Sequence, residues 1–123
     1  MFVDICLRLT QSGDDVPQGI YSSKIYKVGD VVRTLCGELN NYPTQKSIHI
    51  GNNVHVTDEY GQYINHSFDP NVRVVSNNLI AIKNININDE ITFNYNDSEI
   101  EMHSPFMDNG IEVCGKKVNY KIL

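Results

Sequence analysis

Short runs of β-branched and aromatic residues, each bounded by turn-forming residues, limit this chain to small sheets. The runs are Phe2 to Leu9, Val31 to Leu35, Ser47 to Ile50, Val72 to Val75, Leu79 to Ile82 and Ile91 to Tyr95. Helical periodicity is almost absent. Gly51-Asn52-Asn53 and Ser76-Asn77-Asn78 accept the positive φ angles of tight hairpins. Gly13-Asp14-Asp15 ahead of Pro17, Gly29-Asp30 and Asn88-Asp89-Glu90 add further turn chemistry. The expected fold is mainly β, made of small antiparallel sheets. From Glu99 to Gly115 the alternation stops, which predicts a packed tail or lid with little regular pattern.

At 123 residues the chain reads as one domain, able to bury roughly two thirds of its unfolded surface. A hydrophobic share of 41% with 20% charged residues excludes disordered, collagenous and disulfide-dense classes. The tract Leu79 to Ile82 falls far short of the roughly 20 apolar residues a bilayer span needs, so no membrane partner is expected. Met1 to Cys6 carries Asp4 within its apolar run and no basic segment, unlike a secretory signal. The expected location is intracellular, cytoplasmic or nuclear. Cys6, Cys36 and Cys114 are odd in number and widely spaced, which suits reduced thiols. His49, His55 and His103 lack metal-ligand spacing. Fifteen acidic against ten basic side chains, a net charge of −5, disfavour direct nucleic-acid binding and favour a cationic peptide.

The polar cluster Asn65-His66-Ser67 sits between apolar neighbours and a Pro70-Asn71 turn. Taken alone it reads as a satisfied polar turn. The stretch Tyr63 to Asn71 and the later Asp89-Glu90-Ile91-Thr92-Phe93-Asn94-Tyr95, in this order and at this separation, together resemble the SET-domain family of protein lysine methyltransferases. Gly19-Ile20-Tyr21-Ser22, Lys27 to Val32 and Cys36-Gly37-Glu38 resemble that family's opening. One departure is Pro17, which stands where the first glycine of a Gly-x-Gly loop is usual and removes an N–H there.

The resemblance implies a SET-domain fold over 1–98, with a C-terminal pseudoknot that brings the Asn-His-Ser segment beside the later strand. It implies a post-SET-like tail over 99–123 packed on the same domain. The implied activity is methyl transfer from S-adenosyl-L-methionine to a lysine of a protein substrate, a histone or another basic protein. Tyr95 matches the catalytic tyrosine, and Gln18, Gly19, Tyr63, Asn65 and His66 match cofactor contacts. Phe93, two residues before Tyr95 and so expected on the same strand face, matches the lysine channel with Tyr95. The family's second channel tyrosine would fall near Lys46 or Ser47, with Tyr42 as a substitute. Such an enzyme mainly aligns its reactants, which contributes roughly 7–11 kcal/mol.

In the tail, the family's zinc site takes four cysteines. Phe68, Met107 and Asn109 replace three, leaving Cys114, so no metal is expected. Phe106 would pack on the adenine instead. Two other readings stay open: a degenerate SET domain that binds peptide or cofactor without turnover, and a homodimeric scaffold that pairs through exposed strand edges; the chain is expected as a monomer or homodimer.

Overall fold

The computed structural model describes residues 5–8, 18–100 and 102–116. The turn at 13–15, Pro17 and the Cys6 thiol lie outside them. The elements in order are β1 (Ile5–Arg8), β2 (Gly19–Ser22), β3 (Val31–Thr34), β4 (Gly37–Asn40), β5 (Ile48–Gly51) and β6 (Val54–Asp58). A 3-10 turn (Gly61–Tyr63) follows, then β7 (Asn65–His66), β8 (Val72–Val75), β9 (Asn78–Ala81) and β10 (Thr92–Phe93). Last come the helical turn α1 (Tyr95–Ser98), β11 (Phe106–Asp108) and β12 (Ile111–Val113).

These strands form antiparallel sheets β1-β2, β3-β9-β8, β4-β6-β5 and β11-β12, with one parallel pair, β7 and β10. The mainly β expectation therefore holds. Among the described residues no helix is long and apolar enough to cross a membrane.

The two expected hairpins form where the turn residues placed them. β5 and β6 close at Gly51 opposite Val54, with Asn52 and Asn53 at φ 51° and 60°. β8 and β9 close at Val75 opposite Asn78, with Ser76 at φ 53°. Ile20, Leu35, Val56, Leu79, Ile85 and Ile91 fill the centre. Ile20, Val56 and Leu79 come from three different sheets and Leu35, Ile85 and Ile91 from connecting segments, so one core joins these sheets.

Asp58, fully buried at the end of β6, organises the approach to the polar cluster. Its carboxylate accepts a two-pronged pair of hydrogen bonds from Arg33 Nε (2.8 Å) and Nη2 (3.1 Å). It also accepts the N–H groups of Cys36 (2.9 Å), Tyr60 (3.0 Å) and Gly61 (2.7 Å). Burial pushes this carboxyl up, but Arg33 and the Cys36 and Gly61 amides outweigh it and hold the group below the usual carboxylate range. The 3-10 turn that launches Ile64-Asn65-His66 is thus pinned to β3 and β6.

Two expectations are corrected. The run Ile91 to Tyr95 is not one strand: β10 ends at Phe93 because the Asn94 side-chain oxygen accepts the Asn96 N–H (2.9 Å) and caps a helical turn that starts at Tyr95. The stretch from Glu99 to Gly115 is not patternless. β11 and β12 pair across Asn109 and Gly110, at φ 51° and 80°, the two positive angles that an Asn-Gly hairpin adopts readily.

Candidate active site

The parallel pair sets Asn65 opposite Thr92 and His66 opposite Phe93. Asn71 holds the later segment in register with both ends of its amide: Nδ2 donates to the Glu90 carbonyl (2.8 Å) and Oδ1 accepts the Thr92 N–H (2.9 Å). The Asn65 amide joins a third stretch, donating through Nδ2 to the Gln18 carbonyl and to Glu90 Oε2, both at 2.7 Å. Gly19 lies so close to this junction that an added Cβ would stand 2.6 Å from Glu90 Oε2 and 3.0 Å from Asn65 Nδ2. Gln18, Gly19, Asn65 and Glu90 therefore meet at one place although they are far apart in sequence.

His66 links this junction to the helical turn. Its Nδ1 accepts the Tyr95 N–H (3.1 Å), which leaves the ring proton on Nε2. Nε2 is buried without a hydrogen-bond partner, with Asp108 Oδ2 of the tail hairpin 3.8 Å away. Burial pushes the His66 pKa down by more than Asp108 and Asp97 push it up, so the ring is held neutral below its usual range.

Around His66 the rings of Phe68, Tyr95 and Phe106 stand at centroid distances of 4.4, 5.2 and 5.9 Å. Phe93 and Tyr95 are 4.8 Å apart, so the two aromatics meet even though they do not share a strand. The Tyr95 hydroxyl donates to the Ile64 carbonyl. Burial, with Glu99 and Glu90 nearby, pushes its pKa up to about 12, so the phenol keeps its proton at neutral pH.

Beside Tyr95 opens a cavity of about 220 Å³ whose wall includes Ile48, Ile64, Phe93, Tyr95, Glu99 and Phe106. Lys46 and Ser47 line it too. Tyr42, the expected substitute for the second channel tyrosine, is 61% exposed and is not part of that wall. Tyr63 packs against the core and does not line the cavity either.

Glu99 was not singled out in the sequence. It is only 5% exposed, and its Oε2 accepts the His49 N–H (2.8 Å) and the Ser98 hydroxyl (3.3 Å). Burial pushes its carboxyl up despite these bonds. His49 Nδ1 donates to the Ser98 carbonyl (2.9 Å), and its ring lies 5.0 Å from that of His55. His55 is lowered first by burial and then by His49.

The tail hairpin is docked by Asn96. Its Oδ1 accepts the Cys114 N–H (3.0 Å) and the Gly115 N–H (2.8 Å), and its Nδ2 donates to the Glu112 carbonyl (3.2 Å). Gly115 closes the seam at φ 102°, where a Cβ would stand 2.8 Å from the Glu99 carbonyl oxygen. Val113 is fully buried behind it.

Comparison with known families decides what this arrangement is, because the SET domain profile matches residues 8–96. The chain belongs to the SET-domain family. As a SET domain it is similar in fold to a humanized mutant of the Chaetomium thermophilum Polycomb Repressive Complex 2 bound to an inhibitor, at TM-score 0.56 and 18% identity. That match covers 90% of this chain and 18% of the other. It is also similar to ctPRC2 in an autoinhibited conformation bound to S-adenosylmethionine, at TM-score 0.57 and 18% identity, covering 89% and 19%. A putative histone methyltransferase of Plasmodium falciparum matches at TM-score 0.53 and 24% identity, covering 77% of this chain and 95% of that one. The SET domain thus spans under a fifth of the two complex chains. Comparison with curated proteins gives no match.

Proposed function

We propose that this SET domain transfers a methyl group from S-adenosyl-L-methionine to a lysine side chain of a basic protein. The observation that carries the reading is that the β7-β10 pair brings Asn65 and His66 up against Tyr95, which itself lines the cavity. The parallel β7-β10 pair is, on this reading, the seam of the family's pseudoknot.

The residues fit the cofactor. His66 Nε2 is a buried donor with no hydrogen-bond partner among the described residues, and Gly19 keeps the Gln18-Asn65-Glu90 junction flat where a side chain would intrude. Phe106, 41% exposed, meets the His66 and Tyr95 rings nearly at right angles and offers an aromatic surface beside them. Gln18, Gly19, Asn65, His66 and Phe106 would hold S-adenosyl-L-methionine, with Tyr63 as a flanking contact. When bound, the cofactor supplies an electrophilic methyl on a sulfonium.

The chain's own groups do the positioning. The Tyr95 phenol, neutral and tied to the Ile64 carbonyl, is a fixed dipole rather than a base. Ile48, Ile64 and Phe93 form apolar walls that strip water from an incoming alkylamine, which favours its neutral, nucleophilic form. The net charge of −5 favours encounter with a basic substrate.

The test is methyl transfer by purified protein, with labelled cofactor and core histones as acceptor. Tyr95→Phe is expected to lower transfer by roughly 10²–10³-fold, the usual loss for one positioned donor, while leaving cofactor affinity near the parent value. Cofactor binding by the parent without transfer to any basic protein would instead establish a non-catalytic SET domain.

A further inference from the structure

Of the residues lining the 220 Å³ cavity, Glu99 is the one carboxylate among those described. Only its Oε2 is engaged, by the His49 N–H and the Ser98 hydroxyl. Among the described residues Oε1 makes no hydrogen bond, and the Glu99 side chain lines the cavity. A nearly buried carboxylate with one oxygen unpaired is costly unless a cation or a proton meets it. The aromatic and aliphatic walls around it, Ile48, Ile64, Phe93 and Phe106, suit a methylene chain. A ligand that fulfils both requirements is an alkylammonium.

Resting on the methyltransferase reading, we infer that Glu99 receives the ammonium group of the substrate lysine and takes its proton before methyl transfer. The step balances: carboxylate and ammonium give carboxylic acid and neutral amine, and the amine nitrogen keeps the lone pair that forms the new N–C bond. Burial, which raises the Glu99 carboxyl, makes it a better proton acceptor than an exposed glutamate. The groups that face it are His49 from β5, Tyr95 and Ser98 from α1, and the backbone of Lys116 after β12. Lys46 and His103 belong to the exposed part of the cavity wall, and neither makes an ion pair with Glu99. Among the described residues, therefore, the lysine's charge meets no protein cation already seated on Oε1.

The experiment uses the full chain with 13C-labelled glutamate carboxyls, n-butylammonium as the lysine mimic and 1-pentanol as its neutral counterpart. Butylammonium is expected to shift one carboxyl resonance saturably and lower its titration midpoint, and that resonance should vanish in E99Q. E99Q should bind butylammonium at least tenfold more weakly and 1-pentanol equally well. Its amide oxygen can still accept the His49 N–H, so the fold is expected to survive. Should E99Q nonetheless melt early, the parent titration decides by itself. Binding of butylammonium without any response from the Glu99 resonance, or equal binding by both proteins, overturns the inference. In methyl-transfer assays, E99Q should lose the acidic limb of the pH profile along with at least tenfold in kcat. Transfer unaffected by E99Q overturns the role of Glu99 alone. Butylammonium seated on Glu99 in a protein that transfers nothing overturns the methyltransferase reading alone.

Discussion

Asp58 shows how one side chain can fix a site that it does not touch. Its carboxylate gathers Arg33 and three backbone amides, and through Gly61 it sets the turn from which Ile64, Asn65 and His66 emerge. Asp58→Asn leaves the Arg33 charge without its partner, and breaking a buried pair in this way typically costs about 3–5 kcal/mol. Urea unfolding at neutral pH should show that loss. The pH dependence has a definite sign, because the folded pKa lies below the unfolded one. The stabilisation is complete above the ordinary aspartate pKa and is lost as pH falls through the folded value. The variant should therefore unfold with a flatter acid limb than the parent. Glu99 has the opposite sign: its raised carboxyl contributes most when protonated, and stability falls as pH rises through the folded pKa.

Among the elements, the tail hairpin shows how a single amide can dock a segment through backbone groups. Phe68, Met107 and Asn109 supply no thiolate, and the Asn96 amide binds the hairpin through three backbone groups instead. Asn96→Ala should cost roughly 2–3 kcal/mol, at ~1 kcal/mol for each bond. Hydrogen exchange at the Cys114 and Gly115 amides reports it directly. On the proposed reading cofactor affinity falls too, because Phe106 travels with the hairpin. Legibility in sequence follows from how local each signal was. The β5-β6 and β8-β9 hairpins were readable because their turns carry their own chemistry in Asn52-Asn53 and Ser76. The Asn109-Gly110 turn carried an equally local signal, passed over because Asp108 and Ile111 flank it in strands only three residues long. The end of β10 was missed because Asn94 was read as a strand residue rather than a cap. Asn65, His66 and Tyr95 were placed by family pattern and do converge. Glu99 and Asn96 were not, since their partners are supplied by β5 and by the segment around β12, and no local pattern announces those contacts.

At the scale of the molecule, several two- and three-stranded sheets share one apolar centre, with Ile20, Leu35, Leu79 and Ile91 drawn from different sheets and connecting segments. Among the described residues this cohesion comes from packed side chains and backbone hydrogen bonds, and no group of three or more His, Cys, Asp or Glu stands close enough to hold a metal. Prolonged treatment with a chelator is therefore expected to leave the melting temperature unchanged, and a drop of several degrees would disprove a metal-free tail. The stitching of the last third onto the first has a further consequence. Ile91 N–H bonds to the Ile20 carbonyl, Ser22 N–H to the Asp89 carbonyl, and Tyr26 and Ile85 exchange N–H bonds. Such distant pairings slow folding, because a long loop must close before any of them forms. During synthesis, then, the nascent polypeptide reaches residue 84 with β2 still bare on one side, and it becomes a stable body only after the ribosome has delivered the stretch from Ile85 to Phe93.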